Sequence, residues 1–243
     1  YMAIGSASGL EANLVHKNRD ARQVPQAPVI RHVSGKHRVL GSSDVGDLGL
    51  CHALNSEGLA AKTNTGDPVD IPLRKTISNT EILRLVAETC ATCEEAVDAM
   101  RFYSDRGLIS NSNRGCIWLF ADRQRGVIVE EAPFKIAWRF IENDVDARQN
   151  EFKLPEMTGN RPEAIRYRLA LGKVTELRGR VAPADLNALS RSTENHPTSI
   201  CHDATNSTTT SVLPFDRRRP AYWEMTCGHP NNTFFIPVSP DAR

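Results

Sequence analysis

The order in which strand-like and helix-like stretches follow one another is the strongest constraint on this fold. Tyr1-Met2-Ala3-Ile4 and Leu14-Val15-His16 flank the small-residue stretch Ser6 to Gly9, which predicts two short strands around a reversal. Residues 21–47 carry breaks and little periodicity, and read as a long loop with one strand near Val39-Leu40. Leu48 to Leu54, the turn Asn55-Ser56-Glu57-Gly58, and Leu59 to Asn64 read as strand, tight turn, strand. Gly58 sits where a positive φ is useful. Ser78-Asn79-Thr80-Glu81 and Thr92-Cys93-Glu94-Glu95 are capping-box patterns that open two helices joined at Ala91-Thr92. Strands are predicted at 116–121, 127–131 and 136–141, with Asp122 to Gly126 closing the first hairpin. Helices open again at Asn160-Arg161-Pro162-Glu163 and at Pro183-Ala184-Asp185-Leu186. Strands at 207–215, 221–227 and 233–238 complete the pattern.

Strands therefore come in meanders and helices in pairs. That argues against a doubly wound parallel sheet and for an α+β protein of antiparallel sheets covered by helices. No repeat or linker divides residues 1–243, which read as one domain.

Composition excludes several classes of function. The 243 residues carry a formal net charge of +1, with 40% hydrophobic and 24% charged residues, as in a soluble globular protein. The near-zero charge speaks against a nucleic-acid binder. No stretch approaches the ~18 apolar residues of a membrane span. The six cysteines read as free thiols in a reducing compartment, which makes the cytoplasm the expected location. The chain begins Tyr1-Met2 and not with an initiator Met, so removal of a preceding segment is expected.

Local motifs are mostly bland. Cys90-Ala91-Thr92-Cys93 is a CxxC, but Cys90 ends one predicted helix and Cys93 starts the next, which favours a structural role. The seven histidines lack metal-ligand spacing, and no metal is expected. Cys201-His202-Asp203 is a run in sequence, and neighbouring residues rarely face one point. Gly5 to Gly9 lacks the Lys-Ser/Thr of a phosphate loop and reads as a turn. Arg217-Arg218-Arg219 before Pro220 reads as a solvated hairpin tip. Lys17-Asn18-Arg19-Asp20 is more informative. At the end of a strand, Asn18 and Asp20 fall on one face, because strand side chains alternate. A polar turn is the plain alternative.

Five segments in order resemble the isopenicillin N acyltransferase-like family of N-terminal nucleophile (Ntn) hydrolases. They are the strand pair closing on Asn18-Arg19-Asp20, the turn Leu54-Asn55-Ser56-Glu57-Gly58-Leu59-Ala60, and the helix pair from Leu83 to Ala96. Ala147-Arg148-Gln149-Asn150-Glu151-Phe152 and the tail from Ser199-Ile200-Cys201 to Cys227-Gly228-His229-Pro230 complete the set. The resemblance implies a four-layer αββα sandwich. It also implies a precursor that cleaves itself to expose an N-terminal cysteine, whose thiol is the nucleophile and whose α-amine is the base. By the resemblance, Asp20 holds the amine and thiol, Asn150 donates to the oxyanion, and Asn18 supports them. Asn18 and Arg19 are the expected substrate contacts.

The sequence departs from that pattern at position 1, where Tyr1 stands at or next to the expected nucleophile. Three readings stay open: a cysteine just before Tyr1, a substitution, or a non-catalytic relative. Glu151 also stands where the family tends to have His. The expected activity is hydrolysis or transfer of an acyl group on a small amide, peptide-like or β-lactam substrate. Neither metal nor organic cofactor is expected. The expected partners are the small-molecule substrate, the cleaved propeptide or small subunit, and further copies in a homo-oligomer. An inactive αββα domain that binds a small amide or a partner is the alternative, and thiol redox chemistry at Cys90 and Cys93 is a third reading.

Overall fold

A computed structural model describes residues 1–20, 26–69, 76–111, 113–158, 164–194 and 199–241. The chain opens with β1 (Met2–Ala3) and β2 (Ala12–Asp20), joined through a single 3₁₀ turn at Gly5–Ala7. β3 (Gln26–Arg31), β4 (Val39–Asp44), β5 (His52–Asn55) and β6 (Ala60–Pro68) follow as a meander. β7 (Ile77–Ser78) leads into α1 (Asn79–Thr89) and α2 (Cys93–Asp105). Then come β8 (Ile109–Ser110), β9 (Arg114–Ala121), β10 (Gly126–Ala132), β11 (Lys135–Ile141) and β12 (Val145–Asp146). α3 (Ile165–Glu176), α4 (Pro183–Ser190), β13 (Thr205–Pro214), β14 (Tyr222–Cys227) and β15 (Ile236–Val238) complete the order.

Two antiparallel sheets result, one ordered β12-β1-β2-β13-β14-β15 and the other β11-β10-β9-β6-β5-β4-β3. β7 and β8 form a small parallel pair beside them. Alternation along β9 shows how the layers stack. Cys116, Trp118 and Phe120 face α1 and α2. Ile117, Leu119 and Ala121 face the other sheet, meeting Met2, Val15, Leu213 and Trp223. On the far side, Ala3, Leu14 and Val212 pack under Tyr167, Ala170 and Val174 of α3 and Leu186 of α4. The order of layers is α1/α2, seven-stranded sheet, six-stranded sheet, α3/α4, so the expected αββα sandwich is the observed one. Every β9 residue from Gly115 onward is buried, because both faces of the strand are covered.

Local chemistry explains the boundaries. Ser78 and Glu81 form the reciprocal capping box at the start of α1, and Thr92 caps α2. Asn55 does two jobs. Its Oδ1 accepts from the Glu57 and Leu59 amides, while Nδ2 donates to the carbonyls of Ala87 and Cys90 at the end of α1. Carbonyls left orphaned by the helix end are thereby satisfied. Gly58 has φ +90°, the left-handed region that this turn needs.

One sequence expectation fails here. The loop read over 21–47 contains the strand β3, which pairs in register with β4 from Gln26↔Asp44 to Arg31↔Val39. β3 is an edge strand carrying Pro28, so the pairing is one-sided and the sequence lacks a clean apolar alternation. The predicted helix start at Asn160-Arg161-Pro162-Glu163 lies outside the described residues.

Candidate active site

β2 organises the site, because its two faces point into different layers. Leu14 and His16 share the face turned to α3/α4, and Asn18 and Asp20 continue it by the period of two. Val15 faces the gap between the sheets and Lys17 continues that face. A cleft of about 210 Å³ opens at this end of β2. Tyr1, Asn18, Arg19, Asp20 and Asn150 all line it, so the structure brings every sequence-predicted site residue to one place.

Tyr1 extends the β1–β2 ladder. Its nitrogen donates to the His16 carbonyl at 2.8 Å, and the His16 amide donates back to the Tyr1 carbonyl at 2.8 Å. As a free α-amine this nitrogen is held at about 5, first by burial and then by Lys17, with Asp146 acting in the opposite sense. Such an amine is unprotonated at neutral pH. The Tyr1 ring stacks on His16 with centroids 5.5 Å apart. Burial keeps the phenol protonated, with Asp20 acting in the same direction and Arg166 against it.

Hydrogen bonds lock β2 to the rest of the molecule. His16 Nδ1 meets Thr210 Oγ1 at 2.7 Å, and its Nε2 meets Asn18 Oδ1 at 3.1 Å. Burial holds this imidazole neutral. Asn18 Nδ2 donates to the carbonyls of Ser190 and Ile200 at 3.2 and 3.1 Å. Asp20 accepts from Thr205 Oγ1 at 2.7 Å, meets His202 Nε2 at 3.0 Å and takes Arg166 at 3.4 Å. Arg19 forms a bidentate pair with Asp44, at 3.2 and 2.9 Å.

Asn150 lies on an exposed bend at the cleft rim. The segment is pinned from both sides. Arg114 donates to the Asn150 carbonyl, and Asp67 accepts from the Phe152 amide at 2.9 Å. Glu130 accepts from the amides of Lys153 and Leu154, while Arg148 is buried between Asp146 and Glu130. An ionic cluster beneath thus pins the backbone on either side of Asn150.

The sequence reading missed Lys17, Asn64, Asn79 and Arg166, all of which line the cleft. Lys17 donates to Asn64 Oδ1 across the gap between the sheets, a partner that no local pattern announces. Cys90 and Cys93 lie elsewhere, as buried free thiols under α1 and α2. Among the described residues no group of three His, Cys, Asp or Glu is placed to hold a metal ion. No described helix is long and apolar enough to cross a membrane.

No family model matches this chain, and no curated protein does. Solved structures do match. Penicillin V acylase from Agrobacterium tumefaciens superposes with a TM-score of 0.64 at 14% identity, covering 98% of this chain and 85% of that one. The two-sheet, four-layer order and these superpositions decide the architecture. The chain has the Ntn-hydrolase fold. The Caenorhabditis elegans N-acylethanolamine-hydrolyzing acid amidase ortholog matches with a TM-score of 0.57 at 14% identity, over 97% of this chain and 98% of that one. A variant conjugated bile acid hydrolase from Clostridium perfringens gives 0.57 at 14%, over 98% and 91%. At these identities the likeness establishes the fold of this chain and leaves its chemistry to the site.

Proposed function

We propose that this protein is an amide hydrolase or acyltransferase of the cysteine N-terminal nucleophile type, similar to the isopenicillin N acyltransferase-like family and matured by autoproteolysis. Its substrate is a small amide, peptide-like or β-lactam molecule. The observation that carries the reading is a convergence: Tyr1 at the head of β1, Asp20 on the facing strand and Asn150 on the rim line one small cleft. The three neighbours, named for acylase, amidase and bile acid hydrolase activities, support the class of reaction.

In this reading an N-terminal thiol at the head of β1 passes its proton to the α-amine. The thiolate attacks the amide carbonyl, and the oxyanion is met by the Asn150 side chain. Collapse expels the amine, which takes the proton back, and leaves an acyl-enzyme for water or another amine to resolve. Burial at the head of β1 lowers an α-amine placed there and keeps it unprotonated, as a base must be. Asp20, tied by Thr205 and His202, positions the first residue.

A second reading is favoured by Tyr1 itself. Its ring stacks on His16, and its phenol is held protonated and is no nucleophile at neutral pH. A chain with that residue first would bind a small amide without cleaving it.

N-terminal sequencing of the active protein, with intact mass after exposure to a panel of N-acyl amides, separates the two. The enzyme reading expects a cysteine at the mature terminus and an acyl adduct on it. A terminus at Tyr1 with no adduct and no turnover leaves the binding reading.

A further inference from the structure

The cations of the cleft do not pair off evenly. Arg19 is committed to Asp44, Arg148 to Asp146 and Glu130, and Arg166 to Asp20. Lys17 is the exception. Among the described residues it has no carboxylate at ion-pair distance, and its acceptors are neutral: the Asn18 carbonyl at 3.0 Å and Asn64 Oδ1. An ammonium has three N–H donors, so one is left over.

Asp20 is the carboxylate whose charge reaches Lys17, and it is already taken by Thr205, His202 and Arg166. Lys62 is buried behind, on Thr209 Oγ1 at 2.6 Å and over the Trp223 ring at 4.7 Å. Most of the remaining wall is amide and hydroxyl, from Thr63, Asn79 and Asn111, with Leu119 and Ile200 as its aliphatic pieces. Such a wall suits an anion and offers little to a long apolar acyl chain. Lys17 faces Arg19 and Asp20 on its own strand, Cys51 just before β5, Lys62 on β6 and the Tyr1 nitrogen just before β1. Burial and Arg19 bring it to about 8, which leaves it cationic at neutral pH.

We propose that the cleft takes an amide substrate that also carries a carboxylate, and that Lys17 Nζ receives that carboxylate. This rests on the amide-processing reading above and narrows its substrate class. The carboxylate belongs either to the acyl part or to the departing amine, and one experiment covers both. Calorimetric titration compares N-phenylsuccinamic acid with its primary amide, and N-butyrylglycine with N-butyrylglycinamide.

The acid of at least one pair is expected to bind about 10–100-fold more tightly, the range for a hydrogen bond to a charged group. The pair that shows the preference tells which part bears the carboxylate. Lys17→Gln should abolish that preference and leave the neutral amide's affinity unchanged, while Lys17→Arg should retain it. Lys17→Met carries the same expectation as Lys17→Gln if the latter does not fold. Equal affinities within both pairs in the unaltered protein overturn the proposal, as does a preference that survives Lys17→Gln or Lys17→Met. Turnover is followed in parallel. A Lys17-dependent preference without cleavage of any amide refutes the hydrolase reading and leaves the carboxylate site standing.

Discussion

The two helical layers of this sandwich are built on different terms. α1 and α2 are capped by Ser78 and Thr92, and they press a nearly pure apolar face onto the seven-stranded sheet. α3 starts at Ala164 with no side-chain cap, and α4 has half a capping box, in which Asp185 accepts from the Ala182 amide at 2.8 Å. Beneath them runs a polar seam. Thr210 donates to Asn187 Oδ1 at 2.7 Å, Ser190 Oγ donates to the Asn187 carbonyl at 2.7 Å, and His16 and Asn18 complete it. Buried polar groups are tolerated only when bonded, so this seam gives little stability for the order it requires. The cleft reaches that side through Asn18, Asp20, Arg166 and Ile200, and the start of α1 adds Asn79 and Thr80 to its wall. The α1/α2 layer is the more apolar support, and the α3/α4 layer holds more of the polar groups beside the cleft.

That division is most exposed at Asp20. Asp20→Asn keeps the shape and removes the charge that Arg166 and His202 face. Turnover should fall by about 10³–10⁴, the scale seen when a positioning carboxylate is neutralised. Thermal midpoint should hold, since this side chain is partly exposed. Amide turnover and a melting curve decide it. Full activity rejects the role of Asp20, and collapse of the fold means the site side carries stability after all.

Asn150→Ala probes the rim of the same cleft. Loss of an oxyanion donor costs about 10²–10³ in turnover, with substrate affinity little changed. A variant that weakens binding and leaves turnover at saturation intact makes Asn150 a substrate contact instead.

The stabilising layer has one weak point, and it sharpens the contrast. Glu130 and Glu131 are neighbours on β10 and face opposite ways. Glu130 meets Arg148 and two backbone amides, whereas Glu131 lies 1% exposed beside Ser104 of α2. Burial pushes Glu131 from 4.5 up to about 8. A carboxyl raised in the folded state contributes its full stability below 4.5 and loses it as pH rises through about 8. Glu131→Gln should therefore flatten the decline in urea midpoint between pH 5 and 8, with no gain at pH 4. Parallel pH curves for the two proteins would dismiss Glu131 as the cause.

The same division governs what the sequence discloses. Caps at Ser78 and Thr92 and the apolar runs that become β9 and β10 are local, and they are legible residue by residue. β3 is not, because its order comes from pairing with β4 at a sheet edge. Asn18 and Asp20 share a face by strand periodicity alone. What they touch is another matter: Asp20 meets His202 and Thr205, which lie 182 and 185 residues further on. Lys17 and Asn64 likewise meet only when the sheets stack. Chemistry assembled across layers leaves no spacing to read.

The smallest effects test the caps themselves. Ser78→Ala removes both the bond to the Glu81 amide and its own bond to the Glu81 carboxylate, and should cost about 1 kcal/mol in urea unfolding. Ala164 offers the reverse experiment. It stands at φ −67° and ψ 145°, the extended conformation of an N-cap residue, with no side-chain oxygen to offer. Ala164→Ser should gain about 0.5–1 kcal/mol by supplying the missing acceptor. A neutral Ser78→Ala would show that packing alone holds α1. A neutral Ala164→Ser would show that the start of α3 already has its donors satisfied. Either result would erase the difference in capping between the layers and leave only the polar seam to separate them.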